Sequence, residues 1–128
     1  MGIHYIFFTD DLGIASSYPS IKNRLSEPVY NHVSLFYCSI KNQFVFVKEL
    51  EILRAHFPAQ LFISLHSKGV IGSCFIEEQD IEAVMNANTM QHIEFTISGN
   101  EIFVEKIKES LFFLGIKKVQ IQEQYFSE

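Results

Sequence analysis

Across Ser98 to Asn100 the spacing of apolar residues changes, and no other feature constrains the fold as strongly. Ile93, Phe95 and Ile97 alternate as in a strand, whereas Phe103, Ile107, Leu111 and Leu114 recur at helical spacing. Ser98 and Glu101 stand three apart, the separation at which a capping box closes the amides of a helix start. At the far end, Gly115 suits the left-handed conformation that stops a helix, with Ile116 folding back on Leu111. A strand that feeds a helix N-terminus through a glycine-containing turn is where open α/β sheets place ligands.

The same alternation runs through the chain. Tyr5 to Thr9 is a continuous apolar run, which predicts a strand buried on both faces. Asp10-Asp11-Leu12-Gly13 turns the chain into a helix capped at Ser16 or Ser17 and running to about Leu25, with Pro19 in its first turn. Val33 to Cys38 follows as a second strand, and a stripe through Phe44, Val47, Leu50, Ile52, Leu53 and Phe57 as a helix that ends before Pro58. Leu61 to Leu65 is a third strand, Ser67 to Ser73 a glycine-containing loop, and Glu77 to Met85 a short helix with acids at its positive end. After the strand and helix already described, Val119 to Glu123 alternates as a half-exposed edge strand. Five strands and four helices in alternation predict an α/β three-layer sandwich around a parallel sheet with right-handed crossovers. Glu94 fits poorly, because an inner strand does not tolerate an unpaired carboxylate; a place near the strand's exposed beginning accommodates it.

Composition narrows the function. The 128 residues suit a single domain, and a hydrophobic content of 48% with 13 Phe supports a real core. The net charge of −5, with no cluster of cations, argues against nucleic acid or an anionic membrane as the main partner. Cys38 and Cys74 are too few and too far apart for a disulfide framework or zinc knuckle, so buried free thiols in a reducing compartment are expected. The opening residues carry no basic region and no long apolar run, which makes the cytoplasm the default. The five histidines have no metal-binding spacing, and neither a nucleophile elbow nor a phosphate loop is present, so no metal ligand and no catalytic residue is assigned.

Three stretches carry a family resemblance. The first runs from Ile97-Ser98-Gly99-Asn100 through Phe103 to Leu111, then Leu114-Gly115-Ile116, to Glu123-Gln124-Tyr125-Phe126. The second is Val33 to Cys38 with Phe46 to Leu53, and the third is Ile6-Phe7-Phe8-Thr9-Asp10-Asp11-Leu12-Gly13-Ile14-Ala15. Taken in order, they resemble the NAD(P)-binding half of the ferredoxin-NADP reductase superfamily. That resemblance implies a sheet in the order 3-2-1-4-5, with NAD or NADP across the carboxyl ends of the strands. It assigns cofactor contacts to Thr9, Gly13, Ile14, Ser98, Gly99 and Asn100. It also implies hydride transfer to a flavin on a separate barrel domain, for which residues 1–128 have no room, so no FAD belongs to this chain and it cannot complete the reaction alone. Tyr125 and Phe126 would then stack on a flavoprotein's flavin or contact another protein.

The sequence also departs from that pattern. Asp10 and Asp11 stand where the family has glycines whose amides approach the pyrophosphate, and Ser16 stands in for a proline. A carboxylate about 5 Å from a phosphate is unfavourable by roughly 3 kcal/mol at an effective dielectric near 20, on the order of a hundredfold in affinity. Ser98 replaces a cysteine and Asn100 a proline, and Lys41 alone is near enough in sequence to suit a 2'-phosphate. Asp10-Asp11 also resembles the acidic pair of receiver domains, yet Leu65-His66-Ser67 holds no phosphate-accepting Asp. Two functions follow: a partner-binding module with weakened or lost NAD(P)H binding and no cofactor held tightly, or a stand-alone NAD(P)H-binding component passing electrons to a flavin on another polypeptide. The two acids favour the first.

Overall fold

The computed structural model describes residues 2–41, 43–67 and 76–127. Strand β1 (Ile3–Thr9) leads to α1 (Ile14–Ser26), β2 (His32–Ser39) to α2 (Val47–His56), and β3 (Leu61–Ser67) precedes α3 (Glu78–Asn86). Strand β4 (His92–Gly99) enters α4 (Glu101–Phe113), and a short 3-10 turn at Lys118–Gln120 delivers β5 (Ile121–Tyr125). All pairings are parallel and the order is β3-β2-β1-β4-β5, as the resemblance implied.

Strand β1 sits in the middle, which is why its run is apolar without alternation. Tyr5 and Phe7 pack with Ile14, Ile21 and Leu25 of α1 and Leu50 and Leu53 of α2. Ile6 and Phe8 face the other way, onto Ile81 of α3 and Val104, Ile107 and Leu111 of α4. The Phe8 ring stacks on Phe36 with centroids 5.0 Å apart. Helix α4 ends as expected: Gly115 has φ 89°, and the Ile116 amide donates to the Leu111 carbonyl at 2.9 Å.

Several sequence expectations are corrected. Ser98 does not cap α4, because it is still strand; the cap is Asn100, whose Oδ1 accepts from the Phe103 amide at 2.8 Å. Helix α1 starts at Ile14, ahead of Ser16 and Ser17, which puts Pro19 in its second turn. Helix α2 starts at Val47, after Phe44, and buries Leu50 and Leu53 while Ile52 of the expected stripe turns to solvent. The last strand begins two residues late because the 3-10 turn swings Val119 out to 90% exposure, leaving Ile121 to pack on the core. Cys38 is disulfide-bonded rather than a free thiol. Cys38 is fully buried on β2, with His66 opposite it on β3. Cys74, and the expected loop beyond Ser67, lie outside the described residues.

At the amino end of the sheet, His4 is buried between Asn88 and Ser34. Asn88 Nδ2 donates to the Met90 carbonyl, so its Oδ1 faces His4 Nδ1 at 2.9 Å and makes that nitrogen the donor. His4 Nε2 then accepts from the Ser34 hydroxyl at 2.8 Å. Burial holds the His4 pKa below its ordinary value of 6.5, against the Asn88 bond and with help from His32. The unfolded chain therefore binds more protons than the folded one as pH falls below about 6.5, and folding stability drops until the folded-state pKa is passed. Urea midpoints are expected to fall between about pH 7 and 5, and the slope to flatten in His4→Gln. An unchanged slope in that variant would remove His4 from the account.

Candidate functional site

The chain reverses its direction of travel across the sheet between β1 and β4, where Thr9 lies opposite Ser98. The N-termini of α1 and α4 open together at that point, and amides at both would attract an anion. An anion is already there. Asp10 is 4% exposed, and its Oδ1 accepts from the Leu12 and Gly13 amides at 3.0 Å each. Its Oδ2 accepts from the Asn100 amide at 2.9 Å, so one carboxylate closes the entrances to both helices. The Asp10 carbonyl accepts from Ile14 at 3.1 Å, which is why α1 begins there.

Two glycines permit this arrangement. A Cβ on Gly13 would lie 2.1 Å from the Ser98 carbonyl oxygen, and one on Gly99 would lie 2.5 Å from the Asp10 carboxyl carbon. Neither is needed for a positive φ; both are needed for close approach. Asp11 reaches the other way, its Oδ2 accepting from the Ile40 amide at 3.1 Å and tying the turn to the end of β2.

Thr9, Gly13, Ile14, Ser98, Gly99 and Asn100 thus share one crevice, arranged around Asp10. Thr9 and Ser98 are buried, and the Ile14 side chain belongs to the core beneath α1. Asn100 is spent twice, its side chain on the α4 cap and its amide on Asp10. Lys41 is exposed. Tyr125 pairs with Gly99 at the sheet edge, and the Phe126 amide donates to the Gly99 carbonyl at 2.8 Å. The half-exposed Tyr125 donates its hydroxyl to Glu105 on α4, a bond that raises the phenol pKa and lowers that of the Glu105 carboxyl. Lys108 bridges Glu105 at 3.5 Å and Glu123 at 3.2 Å. Among the described residues no cluster of His, Cys, Asp or Glu could hold a metal ion, and no helix is long and apolar enough to cross a membrane.

Sequence reasoning missed Gln124, whose Oε1 accepts from Ser16 at 2.9 Å and Ser98 at 3.0 Å, tying β5 to α1 and β4. The signal was present, since the alternation that puts Gln122 on one face of β5 puts Gln124 there too. Asp10 was noticed for its charge, while its position three residues before a helix-opening Gly13 also marks a turn that closes on its own amides.

The fold recurs in solved structures. The CS-b5R domains of human Ncb5or in the NAD+ form match with a TM-score of 0.79 at 15% identity, over 94% of this chain and 36% of that one. Ferredoxin-NADP+ reductase from Plasmodium falciparum matches with a TM-score of 0.77 at 14% identity, over 97% of this chain and 52% of that one. The chain has the fold of the NAD-linked domain of ferredoxin-NADP reductases. The cytochrome b5 reductase domain of Ulva prolifera nitrate reductase agrees, with a TM-score of 0.74 at 17% identity over 94% of this chain and 49% of that one. This reductase-like domain thus spans about a third to a half of the solved chains it matches. No family model matches the sequence, and no curated protein is significantly similar to it.

The Leu12, Gly13 and Asn100 amides at the two helix starts are paired with Asp10, and a pyrophosphate placed there would meet a buried carboxylate.

Proposed function

We propose that this ferredoxin reductase-like domain has exchanged the dinucleotide's phosphate for a resident carboxylate and works as a partner-binding module. The observation that carries the reading is the set of three hydrogen bonds from Leu12, Gly13 and Asn100 to Asp10. With the helix N-termini satisfied from within, the domain keeps its shape without a cofactor, and its surface is free to serve recognition. A flavoprotein is one candidate partner and another protein the other, with Tyr125 and Phe126 at the carboxyl edge as contacts. The matched reductases are longer chains, of which this domain spans about a third to a half. Of compartments, the cytoplasm is the reading from sequence, and the disulfide at Cys38 weighs against it.

The second reading is a stand-alone component that binds NAD(P)H and passes electrons to a flavin on another polypeptide. The close-approach glycines Gly13 and Gly99 favour it, because they keep the backbone tight where a cofactor would lie. Calorimetry with NADH and NADPH separates the two. The module reading expects no saturable heat below about 1 mM nucleotide, equivalent to binding weaker than about −4 kcal/mol. Saturation at micromolar concentration would establish the second reading instead.

A further inference from the structure

On the side of the sheet that carries α1, that helix contacts β4 and reaches β5 through Ser16. A groove of about 400 Å³ remains there between α1 and those two strands, within the size range of small-ligand sites. Its walls are polar where a covered sheet would be apolar: Glu94 and Ser98 from β4, Gln122 and Gln124 from β5, and Ser17 and Arg24 from α1 line it. It meets the Asp10 crevice at Ser98 and runs from there along α1 to Arg24 and Glu94, away from the Asp10 carboxylate.

Two observations point to a ligand. Ser17 is 2% exposed, yet its hydroxyl has no hydrogen-bond partner. A buried hydroxyl with no partner is costly, and a helical serine ordinarily avoids that by bonding the carbonyl four residues back. Glu94, the residue that fits its strand poorly, lines the same groove, and no described residue gives its carboxylate a hydrogen bond or an ion pair.

The remaining groups define the ligand's chemistry. Gln124 Oε1 is taken by the Ser16 and Ser98 hydroxyls, which fixes the amide and leaves Nε2 to donate. Arg24 lies 4.5 Å over the Tyr5 ring and 3.3 Å from Glu27, so its charge is matched while further N–H donors remain. With Arg24 answered by Glu27 and Glu94 unanswered, the groove does not favour an anion. A carboxylate without a cation instead accepts well from two adjacent hydroxyls, as acidic residues do with ribose in dinucleotide folds. We propose that the groove binds a small neutral molecule bearing a vicinal diol, the chemistry shared by a free sugar and the ribose of an uncharged nucleoside, with Glu94 accepting from the diol and Ser17, Arg24 and Gln124 completing its hydrogen bonds.

The test titrates the full chain with ribose, glucose, adenosine and 2'-deoxyadenosine, followed by calorimetry and by the Gln124 side-chain amide resonances. Saturable binding of ribose or glucose supports a sugar site, and binding of adenosine at least tenfold tighter than 2'-deoxyadenosine supports a nucleoside site. Glu94→Gln is expected to weaken the bound ligand at least tenfold. Ser17→Ala should weaken it severalfold while the melting temperature holds or rises, because the variant removes a buried hydroxyl that lacks a partner. No saturable binding up to ~10 mM of any of the four, equal binding of adenosine and its deoxy analogue, or full affinity in Glu94→Gln would each overturn the proposal, and leave the groove to water.

Discussion

Asp10→Ala is expected to cost about 4 kcal/mol of folding stability, since hydrogen bonds to a charged group contribute about 1.5–3 kcal/mol each and water recovers only part of three. For a domain of this size that is a fall of roughly 10–20 °C in melting temperature. The loss should be local in origin, because Asp10 makes no ion pair among the described residues and acts through the Leu12, Gly13 and Asn100 amides. Asp10→Asn is the informative partner variant. Its carbonyl oxygen can still accept from Leu12 and Gly13, but its NH2 group then meets the Asn100 amide donor to donor. It should therefore lose about half as much, roughly 2 kcal/mol. Thermal and urea melts of both variants check this, and a loss below about 0.5 kcal/mol for Asp10→Ala would mean the crevice does not depend on the carboxylate.

Gly13→Ala is expected to be as damaging, at about 4 kcal/mol or more, for a different reason. Gly13 has an ordinary helical φ of −86°, so alanine is conformationally acceptable there. The added Cβ nevertheless lies 2.1 Å from the Ser98 carbonyl oxygen and 2.7 Å from Thr9 Oγ1, and the first of these is strand backbone with nowhere to move. Gly115→Ala reverses the case: φ is 89° and nothing lies within 4 Å of the new atom, so the cost is conformational and about 1 kcal/mol. Urea midpoints of the two variants measure the contrast. Equal costs would mean that the α1 turn yields more than its packing suggests.

The strands and helices were legible in the sequence because burial on both faces leaves an unambiguous record. Tyr5 to Phe8 reads as a central strand since each side chain has a helix-covered face to meet, and Phe103, Ile107 and Leu111 read as a helix since α4 buries one stripe. Helix starts were less legible. Hydroxyl residues suggested caps at Ser16, Ser17 and Ser98, whereas the amides at both starts are taken by Asp10 and Asn100. Asp10 closes a start on α4 from ninety residues away in sequence, and no local pattern reveals such a bond. The same blindness to long-range partners hid the role of Gln124, whose bond to Ser98 depends on strand pairing. The sequence did show two acids at the end of the first strand. That the Asp10 carboxylate turns inward onto the Leu12, Gly13 and Asn100 amides is visible only in three dimensions.

The most direct measurement of the proposed exchange of phosphate for carboxylate is the melting temperature of Asp10→Gly and of the wild-type chain as inorganic pyrophosphate is added. Glycine empties the crevice without adding a side chain, so a free anion should occupy the released amides; at ten times its Kd it would restore about 1.4 kcal/mol. The account predicts a rise of several degrees in the variant, saturating with pyrophosphate, and none in the wild type, where Asp10 holds the place. A wild-type chain stabilised as much as the variant, or a variant indifferent to pyrophosphate, would contradict it.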